Sequence, residues 1–319
     1  MYKATGVTLG EGTFSKVMEV TKDGVLYAKK QFYDHDRGSS VKLFERQVME
    51  MLKPCPYIVS LVDVEENGDL IMTKMDGSLL DLMRLFRCLP EPMLIDMTYH
   101  VLSALKFLYR HGLVHCDVKP ENVLFFRTPE TYSGYQFMLA DFGNSRWSTD
   151  LDYTPIQTLE YRCVENLLGL TLLDTCCDIM SLGCMLCEAV TGLYVVRAEE
   201  DETYKHIVCL LEAVGKKILA TCDASELPQL AEYMDGVVTE DGIAPLFPYY
   251  YKKYGYKHGS ELTDLIQQML LPFPKQRIHV LDALDHPWFF DESSEDEISE
   301  DEMCDEYEFP LECGLIASL

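Results

Sequence analysis

The sequence predicts an α+β protein built as two lobes, a small strand-rich one first and a larger helical one after it. Three observations carry this. Residues 3–75 hold five runs of strand character and one helical period. From residue 79 onward, apolar residues recur mainly at helical spacing. The chain has 319 residues, 48% hydrophobic and 25% charged, enough to bury a core without disulfides.

Each element follows from local pattern. Residues 3–9, 16–20 and 25–32 alternate and are separated by turn residues, Gly-Glu-Gly at 10–12 and Lys-Asp-Gly at 22–24, as in an antiparallel ribbon. Residues 41–53 place Val41, Phe44, Val48, Met51 and Leu52 at helical spacing, and Pro54-Cys55-Pro56 stops that helix. Strands follow at 58–64 and 70–75 around Glu66-Asn67-Gly68. A short helix is expected over 79–86 and a long one over 91–111, with Met93, Leu94, Met97, Val101, Leu102 and Leu105 on one face. Next come a strand pair at 123–126 and 136–139 and a loop from Asp141. Further helices are expected at 178–191, 204–214, 261–269 and 280–284. This divides the chain into residues 1–75, 76–290 and an acidic tail, 291–319. The tail's low-complexity acid buries too little apolar surface to order itself, so disorder is expected there.

Charge narrows the partners. The net charge is −26; twelve of the 53 acids fall after residue 290, where no Lys or Arg occurs, leaving −14 on residues 1–290. An acidic body argues against a nucleic-acid backbone as ligand and suits a basic peptide. The twelve cysteines show no two C-x-x-C pairs of the zinc-finger kind, and no apolar run is long enough to span a bilayer. They read as reduced thiols of an intracellular protein, cytoplasmic or nuclear, with no membrane partner.

Three stretches carry chemistry. Leu9-Gly10-Glu11-Gly12-Thr13-Phe14-Ser15-Lys16-Val17 lies between two strands, and glycines two apart let backbone N–H groups fold over an anion. A dinucleotide site would need a helix after this loop; strand residues follow instead. Alternation puts Ala28 and Lys30 on one face of the next strand. A lysine facing a phosphate needs a carboxylate to hold its flexible stem, and Glu45 is the best placed; alone, each also reads as a surface charge. The third stretch is His115-Cys116-Asp117-Val118-Lys119-Pro120-Glu121-Asn122. It brings an aspartate, a lysine and an asparagine together, able to handle a hydroxyl proton, a phosphate charge and a metal ion; alone it reads equally as a polar loop.

In order and spacing, these motifs together with Asp141-Phe142-Gly143 resemble the eukaryotic-type protein kinases. The resemblance covers residues 3–290. Tyr161-Arg162-Cys163-Val164-Glu165 stands at the family's Ala-Pro-Glu segment, Asp178-Ile179-Met180-Ser181-Leu182-Gly183 at its Asp-x-Trp-Ser-x-Gly, and Arg277 at the partner of Glu165. The resemblance implies the bilobal kinase fold and transfer of the ATP γ-phosphate to a protein hydroxyl with Mg2+. It makes Asp117 the acceptor of the hydroxyl proton, Lys119 a counter-charge for the γ-phosphate, and Asn122 and Asp141 the Mg2+ ligands. Lys30, held by Glu45, positions the α- and β-phosphates under the 9–17 loop. Val17, Ala28 and Leu124 flank the adenine, Met72 guards the back of the pocket, and the hinge runs through 73–75. His115 becomes a packing residue beside Phe142 and Met49.

Lys119 and Thr158 match Ser/Thr kinases. Ile156-Gln157-Thr158-x-x-Tyr161-Arg162, Gly192-Leu193-Tyr194 and His206-Ile207 resemble the CMGC branch, which holds the SR-protein kinases and dual-specificity kinases. The expected partner is a Ser/Thr-containing protein substrate of a monomeric enzyme. The sequence departs from the family at Cys116, where an arginine clamps a phosphorylated activation loop; the loop from Asn144 to Gln157 is therefore expected to need no phosphate. Ser15 replaces the third loop glycine, and Val164 and Met180 replace a proline and a tryptophan. A catalytically dead scaffold is the alternative; small-molecule kinases lack Lys119 and the 161–165 segment.

Overall fold

The computed structural model describes residues 1–12, 15–33, 36–150, 156–170, 174–196 and 202–290, the side chains of 36–40 excepted. Thr13, Phe14 and the 291–319 tail lie outside the described residues. The first lobe comprises β1 (Lys3–Glu11), β2 (Ser15–Lys22), β3 (Val25–Phe32), α1 (Asp36–Leu52), β4 (Leu61–Val64) and β5 (Leu70–Thr73). Its strands form one antiparallel sheet in the order β1-β2-β3-β5-β4. The tight Lys22-Asp23-Gly24 turn sets the register of β2 against β3, Lys22 opposite Val25 and Val17 opposite Lys30. The α1 helix buries Glu45, Val48, Met49 and Leu52. Its apolar stripe begins at Val41, which is why periodicity places the start there and misses a first turn without one.

The second lobe continues with β6 (Gly77–Ser78), α2 (Leu79–Phe86), α3 (Glu91–Arg110), β7 (Leu113–Val114), β8 (Val123–Arg127), β9 (Tyr135–Leu139) and β10 (Arg146–Trp147). It closes with α4 (Val164–Leu167), α5 (Thr175–Thr191), α6 (Thr203–Val214), α7 (Lys216–Leu219), α8 (Ala231–Met234), α9 (Phe247–Tyr254), α10 (Gly259–Met269) and α11 (Val280–Leu284). A capping box opens α2: the Ser78 hydroxyl takes the Asp81 N–H, and the Asp81 side chain takes the Ser78 N–H. The Asp174 carboxylate caps α5, which starts three residues before the expected 178.

α5 is the axis of this lobe. Every residue of it except Cys176 is buried, so it is a core helix packed on all sides. Gly183 lets α10 close on it: a Cβ there would meet the Met269 Cβ at 2.8 Å. Two-residue strands such as β7 and β10 fall below any periodicity. They matter nonetheless, because Arg146 pairs with Val114 and Trp147 with Leu113, which ties the segment after Asp141 to the residues just before His115.

Candidate active site

The 115–122 loop leaves β7 and is pinned from below by α5. Both oxygens of Asp178 accept backbone N–H groups, from His115 at 2.8 Å and Cys116 at 2.9 Å. Cys116 is fully buried, with φ at 65°. Asp141 and Gln157 also sit in the left-handed region, at 65° and 67°. Such a conformation costs each non-glycine residue about 1–3 kcal/mol and persists only where surroundings over-determine it. Here they do: the Gln157 N–H donates to the Cys116 carbonyl at 3.0 Å, and the Gln157 amide donates to Cys177 O and Ser181 Oγ of α5.

Asp117 emerges from this clamp as the hub of a polar network. Thr158 Oγ1 donates to Asp117 Oδ1 at 2.7 Å, and Lys119 Nζ donates to Thr158 Oγ1 at 2.8 Å. Lys119 Nζ also lies 3.0 Å from Asp117 Oδ2, an oxygen that accepts from Asn122 at 3.1 Å and Asn144 at 3.3 Å. Burial alone would raise the Asp117 carboxyl, but Thr158 and Lys119 hold it below the ordinary carboxylate range. His115 is buried, packs edge-on to Phe142 and donates or accepts only locally, at Ala140 O and the Asp117 N–H. Burial lowers its pKa, so it is a neutral packing residue at this position.

A second cluster lies across the sheet. Lys30 Nζ is 2.6 Å from Glu45 Oε1 and 2.8 Å from Asp141 Oδ1. Burial would lower the ammonium pKa, but these two carboxylates raise it well above its ordinary value, so Lys30 is charged. Asp141 sits below its ordinary value: partial desolvation opposes ionisation, though the side chain keeps an exposed edge, and Lys30 overrides it. Asp141 Oδ1 is taken by Lys30 and the Gly143 N–H, which leaves Oδ2 as an oxygen donor. Asn122 donates through Nδ2 to Asp117 O, which frees its amide oxygen. A carboxylate and a carboxamide oxygen form the hard donor set that suits Mg2+.

The remaining candidates lie on β1, β2, β3, β5 and β8 and in the turn that joins β1 to β2. Gly10 pairs with Val17 and Glu11 with Lys16 on the β1–β2 hairpin, with Leu9 exposed before them; the Gly12 N–H donates to Ser15 O at 2.9 Å. Ala28 faces Met72 in the register of β3 and β5. Met72 and Leu124 pack on one small cluster formed by Val59, Met75, Met138 and Ala140. Asn144, Gln157 and the carboxylate of Asp178 complete the architecture and were not assigned roles by sequence reasoning. Asn144 directly follows Asp-Phe-Gly, a signal within reach; the Asp178 clamp spans 62 residues and only the fold reveals it.

The chain belongs to the protein kinase domain family, whose model matches residues 4–289. It is similar to "Cyclin-dependent kinase B2-1" of Arabidopsis thaliana, 28% identical over 89% of this chain and 92% of that protein. The "Dual specificity protein kinase CLK4" of Homo sapiens is 26% identical over 88% of this chain and 65% of that protein. The "Probable serine/threonine-protein kinase dyrk2" of Dictyostelium discoideum is 28% identical over 88% of this chain, which spans 32% of that longer protein. These are CMGC kinases, the branch that the 156–162 motif resembles. The chain is thus a protein kinase, similar to members of the CMGC branch.

Proposed function

We propose that this kinase transfers the γ-phosphate of ATP to serine and threonine hydroxyls of basic proteins, acting as a monomer. The observation that carries this is the Asp117–Thr158–Lys119 network, with both short bonds at 2.7–2.8 Å. Asp117, ionised through the neutral range, accepts the hydrogen bond of the attacking hydroxyl and takes its proton as the bond to phosphorus forms. Lys119 offsets charge on the transferred group while Thr158 keeps both side chains in register. Lys30, fixed by Glu45, orients the α- and β-phosphates, and the backbone of 9–17 covers them. Val17, Ala28, Leu124 and Met72 supply the apolar walls for the adenine. Asn122 and Asp141 would hold Mg2+, which supplies neutralising charge on the phosphate oxygens when bound. The acidic body favours basic substrates by long-range attraction.

Cys116 supports a further feature. Its thiol turns inward to the Val114 carbonyl at 3.5 Å, so the position offers no cation for a loop phosphate. The 156–158 segment is instead held by neutral hydrogen bonds from Gln157 and by Asn166 and Arg162, which donate to Ile156 O. The kinase is therefore active without activation-loop phosphorylation.

The test is Mg2+-dependent incorporation of labelled phosphate into generic basic and acidic proteins, followed by phosphoamino-acid analysis. The expected result is phosphoserine and phosphothreonine on the basic proteins, lost in Asp141→Ala. No Mg2+-dependent incorporation by the wild type would leave the scaffold reading in its place.

A further inference from the structure

Behind the substrate-facing segment lies a cluster that phosphoryl transfer does not use. Glu165, fully buried at the start of α4, accepts S–H groups at a single oxygen. Cys177 Sγ is 3.6 Å and Cys176 Sγ 3.9 Å from its Oε1. Cys163, also fully buried, hydrogen-bonds Cys177. One ligand atom each from Cys163, Glu165 and Cys177 lie within 4.8 Å of one another. Arg277 donates to both oxygens of the same carboxylate, to Oε1 at 2.8 Å and to Oε2 at 2.9 Å.

We propose that Cys163, Cys176, Cys177 and Glu165 form a zinc site that staples the 161–165 segment to the start of α5. The geometry carries this. The two S–H groups converge on Oε1, so the space their protons occupy is the space a cation would take. With Zn–S near 2.3 Å and Zn–O near 2.0 Å, tetrahedral coordination sets S···O at about 3.5 Å and S···S at about 3.7 Å. The two S···O separations are already within about 0.4 Å of that; within the trio Cys163, Glu165 and Cys177, whose ligand atoms lie within 4.8 Å of one another, Cys163 needs a shift of about 1.3 Å at most, and Cys176, outside that trio, turns in to complete the tetrahedron. Thiolate and carboxylate ligands select Zn2+ over Mg2+. Arg277 orients the ligating carboxylate, as outer partners do in metal sites. Cys176 is half-buried and gives the ion a way in. Each ligating thiol releases its proton to solvent, so binding strengthens as pH rises. The four ligands span 163–177, and their spacing matches no zinc motif, which is why the sequence hides them.

The experiment uses the full chain, stripped of metal and reduced, titrated with Co2+. The expected result is a thiolate-to-cobalt charge-transfer absorption that saturates at one ion per chain and is abolished by Zn2+. Cys176→Ala should cut the absorption by about a third and weaken Zn2+ binding more than about tenfold. Cys163→Ser should act alike, and Cys209→Ser with Cys222→Ser should change nothing. Failure of the wild type to show the absorption would overturn the site and leave a protonated thiol cluster. So would persistence of the full absorption in Cys176→Ala, a half-exposed position whose substitution the fold should accept, as circular dichroism would verify.

Discussion

Lys30–Glu45 and Arg277–Glu165 are the same kind of bond in two settings. In the second, both side chains have no exposure at all, and the guanidinium also donates to Leu271 O and Cys176 O. It is closed and satisfied. In the first, Lys30 and Glu45 are buried, but the third member, Asp141, leaves 47% of its side chain exposed to the space between the lobes. One cation there serves two anions, and one of those anions faces the open side. The sealed pair fixes the fold around it, and the zinc proposed at Glu165 would be a structural ion of the same kind, whereas the pair with an open third member has an oxygen left to face substrate. The contrast separates structural from chemical charge better than burial of either lysine or arginine alone.

The comparison can be broken at either end. Asp141→Ala should remove phosphoryl transfer by about 10³-fold or more, while the urea midpoint stays near wild type. A large fall in the midpoint would mean that the open cluster is structural too. Arg277→Met should do the reverse. It leaves Glu165 buried without its partner and should cost about 3–5 kcal/mol in unfolding free energy; a variant of wild-type stability would show that the sealed pair adds nothing. Thr158→Val should lower kcat about tenfold and move its acid limb upward. The sign follows from Asp117. Its folded carboxyl lies below the ordinary value, so its stabilising contribution is full above the unfolded value near 3.9 and is lost as pH falls through the folded one. Removing the Thr158 hydroxyl raises that folded value, so Asp117 protonates at higher pH. An unmoved acid limb in a pH–rate profile would contradict this. The smallest effect belongs to the activation loop. Replacing Ser148, Thr149, Tyr153 and Thr154 by alanine should leave activity within about twofold. Ser145 is excluded, because it is buried and its hydroxyl donates to His115 O.

Much of this was legible in the chain. Helices with a one-sided apolar stripe, such as 79–86 and 280–284, match the structure to the residue. Phe247–Tyr254 was not foreseen, since Phe-Pro-Tyr-Tyr-Tyr-Lys-Lys-Tyr has no stripe and buries only Phe247. The expected strand at 58–64 is shorter: Ile58 makes one parallel bridge to Leu139, and the regular strand begins at Leu61. At the site, acids, lysines and asparagines declare themselves by type and spacing. The clamp does not, because Asp178, Gln157 and the left-handed backbone of Cys116 acquire meaning only once α5 lies beneath the loop.

The most direct measurement is the single-turnover rate of phosphate transfer for wild type and Asp117→Asn at saturating ATP. Asn is isosteric: its amide oxygen can keep the bonds from Asn122 and Asn144 while its NH2 donates to Thr158 Oγ1, so the loop keeps its shape with one hydrogen bond reversed and the proton acceptor is lost. The expected result is a fall of about 10²–10⁴ in the rate with nucleotide affinity unchanged. Equal rates for the two proteins would contradict the assignment of Asp117 and, with it, the chemistry built around the loop.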